Sequence, residues 1–346
     1  MKLNTAKKLT AGALALSMMF AMATPAFALR EAPNGGMSEI TITKNYKLTN
    51  PETVSPEEEF HFTIEPDVAT TDVPEWVTEE GFIPVPEIGT VKFYKGEAGR
   101  AGDMSKKVKI KLPDNYRSVG VYSYIIKETA GNTAGVTYYG KDIVLKVTVI
   151  EQDGKTRVAA VHTEDPVNGK YDTEKGDGSR KKDDFDNTYS AGDLYVTKTV
   201  DGNLGDKRKD FDFSVVFKKE AGKDFNSTVT ASVAGLEKED FTIVWDDKGE
   251  FKYDFALADG QTAHFDNLPY GVTYKVTEAA YDDYTTEKTG DTGSISAAVQ
   301  TAAFTNTKDG EVDTGVILDN APYILMLAVV AGGAMTLVIK KRREEE

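Results

Sequence analysis

A strand pattern that carries a lysine on its apolar face most constrains how this chain can fold. Residues 194–200 read LYVTKTV, and the side chains of a strand alternate between its two faces. Leu194, Val196, Lys198 and Val200 therefore share one face, which is apolar except for the lysine. A lysine that faces a core is costly unless it is paired or neutralised. The pattern predicts a polar partner opposite Lys198.

The same arrangement occurs earlier in the chain, which indicates a duplicated domain. Residues 38–46 read SEITITKNY, and alternation places Lys44 on one face with Ile40, Ile42 and Tyr46. Both strands carry the dipeptide TK at the equivalent place. We therefore expect two copies of one fold, each beginning with an inward-facing lysine.

Each copy continues with an inward-facing glutamate and ends with an inward-facing asparagine. Glu128 closes the apolar face of VYSYIIKE, and Glu278 closes that of VTYKVTE. Asn187 alternates with aromatic residues in FDNTY, and Asn306 follows the apolar face of AAFTN. Taken singly, these residues also fit a rim lysine, an edge glutamate or a turn asparagine. Two triplets in the same order favour a shared role, because unpaired buried polar groups are rare.

Lysine, glutamate and asparagine in one dry site have a chemistry in common. An uncharged lysine amine can attack an asparagine carboxamide, expel ammonia and leave an amide cross-link, provided that a carboxyl group moves the protons. Burial favours both conditions, because it lowers the pKa of a lysine and raises that of a glutamate.

The motifs resemble a known family. The paired TITK and YVTK strands, the segments YSYIIKE and GVTYKVTE, and the closing FDNTY and FTN are similar to the isopeptide-bonded, immunoglobulin-like domains of Gram-positive backbone pilins, especially the two-domain streptococcal type. Residues 265–278, FDNLPYGVTYKVTE, resemble the most recognisable segment of that superfamily. The resemblance implies two isopeptide bonds and two assisting glutamates: Lys44 with Asn187 beside Glu128, and Lys198 with Asn306 beside Glu278.

The first copy departs from the second by a longer stretch between its glutamate and its asparagine. Lys47 is therefore an alternative to Lys44, although alternation places it on the opposite face of the strand.

Many short strand patterns and almost no helical periodicity predict an all-β fold. Together with the resemblance, these strand patterns predict two tandem immunoglobulin-like β-sandwiches of the Cna B type, over residues 29–190 and 191–310. Strands of the first copy are expected at residues 60–64, 89–94, 108–112, 121–128 and 143–150. In the second copy we expect strands at 211–217, 241–245 and 251–255, the last two joined by a hairpin turn at 246–249.

Two other stretches carry structural expectations. The proline-rich residues 66–86 cannot form a central strand, so they form a loop, serving as a lid or subunit contact or packed in place by Trp76. Only residues 190–192 separate the two copies, which predicts a stiff rod.

The N-terminus has the features of a secretory signal. Residues 1–28 combine three lysines, an apolar run from Leu9 to Ala23, and the small-residue site AFA, so cleavage is expected after Ala28. The alternative is an N-terminal membrane anchor, which the shortness of the apolar run disfavours.

The C-terminal residues 311–346 resemble a sortase sorting signal. EVDTG precedes an apolar run from Ala321 to Ile339, followed by the basic sequence KKRR. The run is long enough for a transient membrane-spanning helix, and the basic cluster holds its end in the cytoplasm. The resemblance implies cleavage between Thr314 and Gly315 and transfer of the Thr314 carbonyl to an amine. Asp313 stands where the family usually has proline, and a permanent membrane anchor is the alternative.

The resemblance also implies the accepting amine. In such pilins the acceptor lysine lies a few residues before the bond-forming asparagine of the first domain. Lys182 occupies that place, with Lys181 as its alternative and Lys175 as a third candidate. The implied partners are a pilus-specific sortase, other copies of this chain and accessory pilins. The implied location is the cell wall of a Gram-positive bacterium, after secretion.

Several function classes are disfavoured. A net charge of −15 argues against nucleic-acid binding. The chain has no cysteine, so amide cross-links would take the place of disulfides in an exported protein. The three histidines show no metal-ligand spacing, so no metal, cofactor or enzymatic activity is expected. Glu128 and Glu278 fall in different copies, which argues against a glycoside-active enzyme. A monomeric, wall-anchored adhesin remains the alternative to a pilin.

Overall fold

The structure is a computed structural model, and it describes residues 30–31, 36–79, 81–100, 104–166, 182–235, 239–241 and 243–311. The predicted signal peptide and the predicted sorting signal with Thr314 and Gly315 lie outside these ranges, as do Lys175 and Lys181. Within the described ranges, no helix is long and apolar enough to cross a membrane.

Nearly all regular structure in the described residues is β-strand. The first half contains β1 Arg30–Glu31, β2 Met37–Leu48, β3 Glu58–Pro66, β4 Glu87–Ile88, β5 Val91–Phe93, β6 Ser105–Lys111, β7 Gly120–Thr129, β8 Val136–Thr137, β9 Ile143–Gln152, β10 Lys155–Glu164 and β11 Asp184–Tyr189. The second half contains β12 Ala191–Asp201, β13 Phe211–Lys218, β14 Val229–Val233, β15 Glu239–Phe241, β16 Glu250–Leu257, β17 Thr262–Pro269, β18 Thr273–Glu278, β19 Thr285–Thr289, β20 Thr292–Ser294 and β21 Val299–Thr307.

The strands of each half form two sheets. In the first half one sheet has the order β4-β6-β2-β11-β8, with β1 also on β2, and the other has the order β10-β9-β7-β3-β5. In the second half the orders are β15-β14-β17-β12-β21-β19 and β16-β13-β18-β20. The apolar faces of each half enclose their own core. The predicted all-β fold is confirmed.

The first and last strands of each half lie side by side. β2 pairs with β11 in parallel, and β12 pairs with β21 in parallel, whereas the other named strand pairs are antiparallel. Two parallel neighbouring strands must be joined by a long crossover connection. In each half, the strands that lie between the first and the last in sequence form this connection. A residue near the start of each half therefore lies beside a residue near its end.

One strand prediction is corrected by the structure, and one strand was not predicted. The segment at 89–94 contains β5, which joins β3, whereas β4, which joins β6 in the other sheet, lies just before that segment. Residues 243–245 lie outside any strand, since β15 ends at Phe241. A turn does form at 246–249, where the Gly249 N–H donates to the Asp246 carbonyl at 2.9 Å. It does not close a hairpin, because β16 pairs with β13, where Phe255 stacks on Phe213 at 5.5 Å.

Apart from Pro66, the last residue of β3, the described residues of the proline-rich stretch belong to no named strand, as predicted. It contains a 3₁₀ turn, Val68–Thr70, and one short helix, α1 Glu75–Glu79. Trp76 does not anchor it, since its side chain is 43% exposed, whereas Val77 is fully buried. Neighbouring residues on a helical turn point to different faces. In α1, Val77 takes the inward position and Trp76 the more exposed one.

The junction between the halves is packed and hydrogen-bonded. The Asn267 side chain accepts from the Val54 N–H at 3.0 Å and donates to the Val54 carbonyl at 2.9 Å. On a second segment, the Ala134 N–H donates to the Asp224 carbonyl at 2.8 Å, and the Asp224 N–H donates to the Asn132 carbonyl at 2.9 Å. Residues 191–192 already belong to β12. These contacts agree with the expectation of a stiff rod.

Candidate cross-link sites

The first site joins three side chains from two facing sheets. Lys44 on β2 is in register with Phe185 on β11, and Asn187 is in register with Tyr46. Lys44 and Asn187 therefore lie on the same face of adjacent strands, two positions apart. Glu128 approaches from β7 in the opposite sheet. All three polar residues are buried.

Glu128 contacts both of the other groups at this site. The Lys44 Nζ lies 2.9 Å from Glu128 Oε2, and the Asn187 amide donates to Glu128 Oε1. The Lys44 ammonium also donates to the Phe185 carbonyl at 3.3 Å. The carboxyl group thus stands between the amine that would attack and the nitrogen that would leave.

Burial sets the proton affinities of the first site. Desolvation lowers the pKa of Lys44 to about 8, against the opposing attraction of Glu128. Desolvation likewise raises the pKa of Glu128, with Lys44 and Asn187 acting in the opposite direction. Both shifts reduce the cost of moving the proton from the amine to the carboxylate, as the chemistry requires.

The second site brings the same three residue types together in the same strand register. Lys198 on β12 is in register with Phe304 on β21, and Asn306 is in register with Val200. The Lys198 Nζ lies 3.1 Å from Glu278 Oε1, and the Asn306 amide donates to the same oxygen at 2.8 Å. Desolvation lowers the pKa of Lys198. The offset between lysine and asparagine is the same in both halves.

Aromatic rings cover the lysines at equivalent places. The Lys44 Nζ lies 4.4 Å from the centre of the Phe60 ring, and the Lys198 Nζ lies 4.3 Å from that of Phe211. Two positions further along, Phe62 and Phe213 are the register partners of the two glutamates. Alternation in FHF and FDF places each pair of rings on one face, but it does not by itself show that they cover a lysine.

Lys47, the alternative to Lys44, lies on the outer face of β2. Its Nζ is 3.1 Å from Asp186 Oδ1, and its side chain is 44% exposed. Alternation along β2 directs it away from Asn187, as the sequence predicted.

The acceptor candidate Lys182 lies just before β11. Its Nζ is 2.9 Å from Asp184 Oδ2, and its side chain is 23% exposed. Its backbone N–H donates to the Thr163 carbonyl at 3.4 Å. Burial acts to lower the pKa of Lys182, but the ion pair with Asp184 outweighs it and raises that pKa.

One histidine is closer to carboxylates than its sequence spacing indicates. Asp193, His264 and Asp266 place one ligand atom each within 4.8 Å of one another. The His264 Nε2 lies 2.5 Å from Asp266 Oδ1 and 3.4 Å from Asp193 Oδ2. His264 and Asp266 lie two residues apart on β17, and the pairing of β12 with β17 brings in Asp193 from about 70 positions earlier. Sequence spacing alone therefore missed the third residue.

Comparison with known proteins relates the chain to streptococcal pilins. Residues 40–190 match the family described as the Spy0128-like isopeptide containing domain, FctA. A curated protein named "Pilin", from Streptococcus pyogenes serotype M1, is 29% identical over 327 residues, covering 88% of this chain and 91% of the relative. Over most of its length the chain is similar to this pilin. This confirms the prediction of a pilin over that of a monomeric adhesin.

Solved pilin structures show the same fold. The major pilin from Streptococcus pyogenes has a TM-score of 0.52 at 23% identity, covering 79% of this chain and 99% of that one. The major pilin protein T3.2 from the same species has a TM-score of 0.52 at 22% identity, with 79% and 98% covered. Residues 192–308 of this pilin match a family described as a domain of unknown function, DUF7601.

A shorter similarity extends to another pilus component. The pilus tip adhesin Cpa of Streptococcus pyogenes is 31% identical over 133 residues, which is 36% of this chain and 18% of the adhesin. The match to the pilin therefore covers far more of both proteins than the match to the adhesin.

Proposed function

We propose that this pilin is the repeating subunit of a covalent surface pilus, and that it is cross-linked internally at Lys44–Asn187 and Lys198–Asn306. The observation that carries the proposal is the pair of congruent, buried Lys–Glu–Asn triads. Each triad bridges the first and last strands of its half, so each bond closes one half of the chain upon itself. We take the two halves, residues 29–190 and 191–310, as the domains of the exported protein.

The cross-linking step balances without any cofactor. The lysine gives a proton to the glutamate, and its neutral nitrogen attacks the asparagine Cγ. The new C–N bond forms, the attacking nitrogen gives up a second proton, and the Cγ–Nδ2 bond breaks. The glutamate relays both lysine protons to the departing nitrogen, which leaves as ammonium, so the neutral chain is lighter by one ammonia. Glu128 and Glu278 are unchanged at the end. This chemistry acts once on the chain itself, so it confers no enzymatic activity toward another substrate.

Export and polymerisation are proposed from the chain termini. Residues 1–28 direct secretion, and the apolar run from Ala321 to Ile339 holds the chain in the membrane until a pilus-specific sortase cuts between Thr314 and Gly315. The enzyme then transfers the Thr314 carbonyl to a lysine of another copy. Accessory pilins and attachment to the cell wall complete the proposed assembly.

Lys182 is the proposed acceptor for that carbonyl. It lies five residues before Asn187, at the start of the strand that carries the first cross-link. Its ion pair with Asp184 keeps the amine protonated at neutral pH. The sortase must therefore remove a proton before Lys182 can attack. Lys181 is the alternative acceptor, and Lys175 is the third.

An immunoblot of cell-wall extracts tests the polymer. A covalent homopolymer gives a ladder of high-mass bands that survives boiling in detergent. Replacing Lys181 and Lys182 together by arginine keeps the charge but removes the proposed acceptor amine, so the ladder should collapse to the monomer. Lys155→Arg, at the start of β10, is the matched control and should leave the ladder intact. A full ladder in the double variant would exclude both lysines and turn attention to Lys175.

A further inference from the structure

The two cross-link sites differ at the carbonyl that is attacked. In the first site, the Tyr139 backbone N–H donates to Asn187 Oδ1 at 2.8 Å. In the second site, no group among the described residues donates a hydrogen bond to Asn306 Oδ1, although this oxygen is buried. The lysine, glutamate and aromatic ring occupy corresponding positions in the two sites, although in the second site Lys198 Nζ and Glu278 Oε2 also lack a hydrogen-bond partner among the described residues. The carbonyl donor is present in one site and lacking in the described part of the other.

The reason for the difference lies in the strand beside each asparagine. β8 pairs with β11 through Val136 and Thr137 alone, whose partners are Tyr189 and Thr188. The Tyr139 N–H, two residues later, is thus released from the ladder and turns toward the Asn187 side chain. In the second half, β19 stays paired with β21 from Thr285 to Thr289, and Thr286 is the register partner of Asn306. The backbone of β19 therefore stays in the sheet, and no described backbone group donates a hydrogen bond to Asn306 Oδ1.

We propose that the Tyr139 N–H acts as an oxyanion donor for the first cross-link, and that this bond forms faster than the second one. The inference rests on the proposed cross-linking function and assigns a role within it. When the lysine nitrogen adds to Cγ, negative charge collects on Oδ1. A fixed donor aimed at that oxygen stabilises the transition state more than the ground state.

The same N–H has a second neighbour. It also interacts with the Glu128 carboxylate, where it counteracts the effect of burial on the pKa of that group. A loss of rate alone would therefore not separate an effect on Asn187 from an effect on Glu128. The test needs one measurement of the rate and one of the Asn187 carbonyl itself.

The rate is measured on newly made protein. Residues 29–314 are synthesised in a short cell-free pulse, and the loss of ammonia is followed by mass spectrometry, with peptide digestion to assign each bond. Tyr139→Pro removes the N–H, whereas the control Tyr139→Ala keeps it and removes only the ring. In the proline variant the first bond should form roughly 100-fold more slowly, the order of magnitude for loss of one oxyanion donor. The second bond forms in the same molecule, so its rate serves as the internal reference and should not change.

The carbonyl is examined in a chain that cannot react. The double variant Glu128→Ala, Glu278→Ala removes both proton carriers, and it also removes the Glu128 side chain as a competing acceptor without adding a donor. The ¹³C resonance of the Asn187 carboxamide should lie at higher frequency than that of Asn306, because it accepts a hydrogen bond. This measurement decides the inference even if the proline variant fails to fold.

Each result has a defined meaning. Equal carboxamide resonances, or a folded Tyr139→Pro chain that forms its first bond at the wild-type rate, would overturn the role of Tyr139. Simultaneous formation of both bonds in the wild-type chain would overturn the predicted order. A wild-type chain that loses no ammonia would instead contradict the proposed cross-linking function itself.

Discussion

Six buried polar side chains define the chemistry of this pilin at the scale of single residues. Strand alternation alone was enough to find them, because a lysine, glutamate or asparagine on an apolar face is conspicuous in the sequence. The Tyr139 N–H could not be found in that way, since it is a backbone group in a segment without periodicity. Its role depends on where β8 leaves the sheet, which is a property of pairing and not of residue type.

The glutamate at each site should be required only for its own bond. Glu278→Ala removes the proton carrier between Lys198 and Asn306, so the isolated chain should lose one ammonia rather than two. The remaining bond should map to Lys44 and Asn187 by peptide digestion. Glu287→Ala, an exposed residue on β19, is the control and should lose both. Loss of both ammonias from the Glu278 variant would show that Glu278 is not needed.

The rate of the first bond should depend on pH with a maximum. Below the pKa of Glu128, which burial raises, the carboxyl group is already protonated and cannot take the lysine proton. Burial lowers the pKa of Lys44 to about 8. Above that pH, Lys44 and Glu128 together lose the proton that the leaving nitrogen needs. Newly synthesised chain diluted into buffers from acid to alkaline pH gives the profile. A rate that keeps rising well above the pKa of Lys44 would show that the reaction needs no proton shared between Lys44 and Glu128.

At the scale of strands, the sequence predicted which side chains face the core better than it predicted which strands pair. Alternation gave the inward residues of β2, β7 and β12, and the structure buries them. It did not show that β16 would pair with β13, because hairpin turns and longer connections can follow the same pattern. It also missed β4, because a strand of two residues is too short to show alternation.

The junction between the two halves should depend on the Asn267 side chain. Asn267 has a φ of 63°, which glycine adopts without strain, so Asn267→Gly removes the side chain alone. The Val54 N–H and carbonyl then lose their partners, at a cost of roughly 1 to 3 kcal/mol. Residual dipolar couplings should report two independently aligned halves in this variant and one rigid body in the wild type.

A matched control is available at the far end of the second half. Asn203 also clamps a backbone with its side chain, donating to the Gly310 carbonyl at 2.7 Å. Asn203→Gly should therefore leave the relative alignment of the halves unchanged. A rigid Asn267→Gly chain would mean that the contacts near Asp224 hold the junction by themselves.

For the whole molecule, the two bonds should differ in how they carry load. With Lys182 and Thr314 as the points of attachment, force follows β11 and β12 to Lys198, crosses to Asn306 and leaves at Thr314. The second bond lies on this path. The first bond closes a loop that lies almost entirely outside it. Only the second bond should therefore limit the extension of a pilus under tension.

Single-molecule stretching tests this difference. The chain has no cysteine, so Lys182→Cys and Thr314→Cys provide unique handles. Loss of the second bond by Glu278→Ala should release the roughly 100 residues between Lys198 and Asn306, or roughly 350 Å of extended chain. Loss of the first bond by Glu128→Ala is the control and should add almost nothing. Equal extension of the two variants would contradict the proposed load path.

The mass of the intact chain tests the central claim most directly. Residues 29–314, produced without other pilus components, should weigh less than the encoded sequence by two molecules of ammonia, and digestion should yield the linked peptides Lys44–Asn187 and Lys198–Asn306. Both bonds should be present without any added enzyme, because each triad contains its own proton carrier. A chain with the full encoded mass would contradict the claim that these buried triads form cross-links.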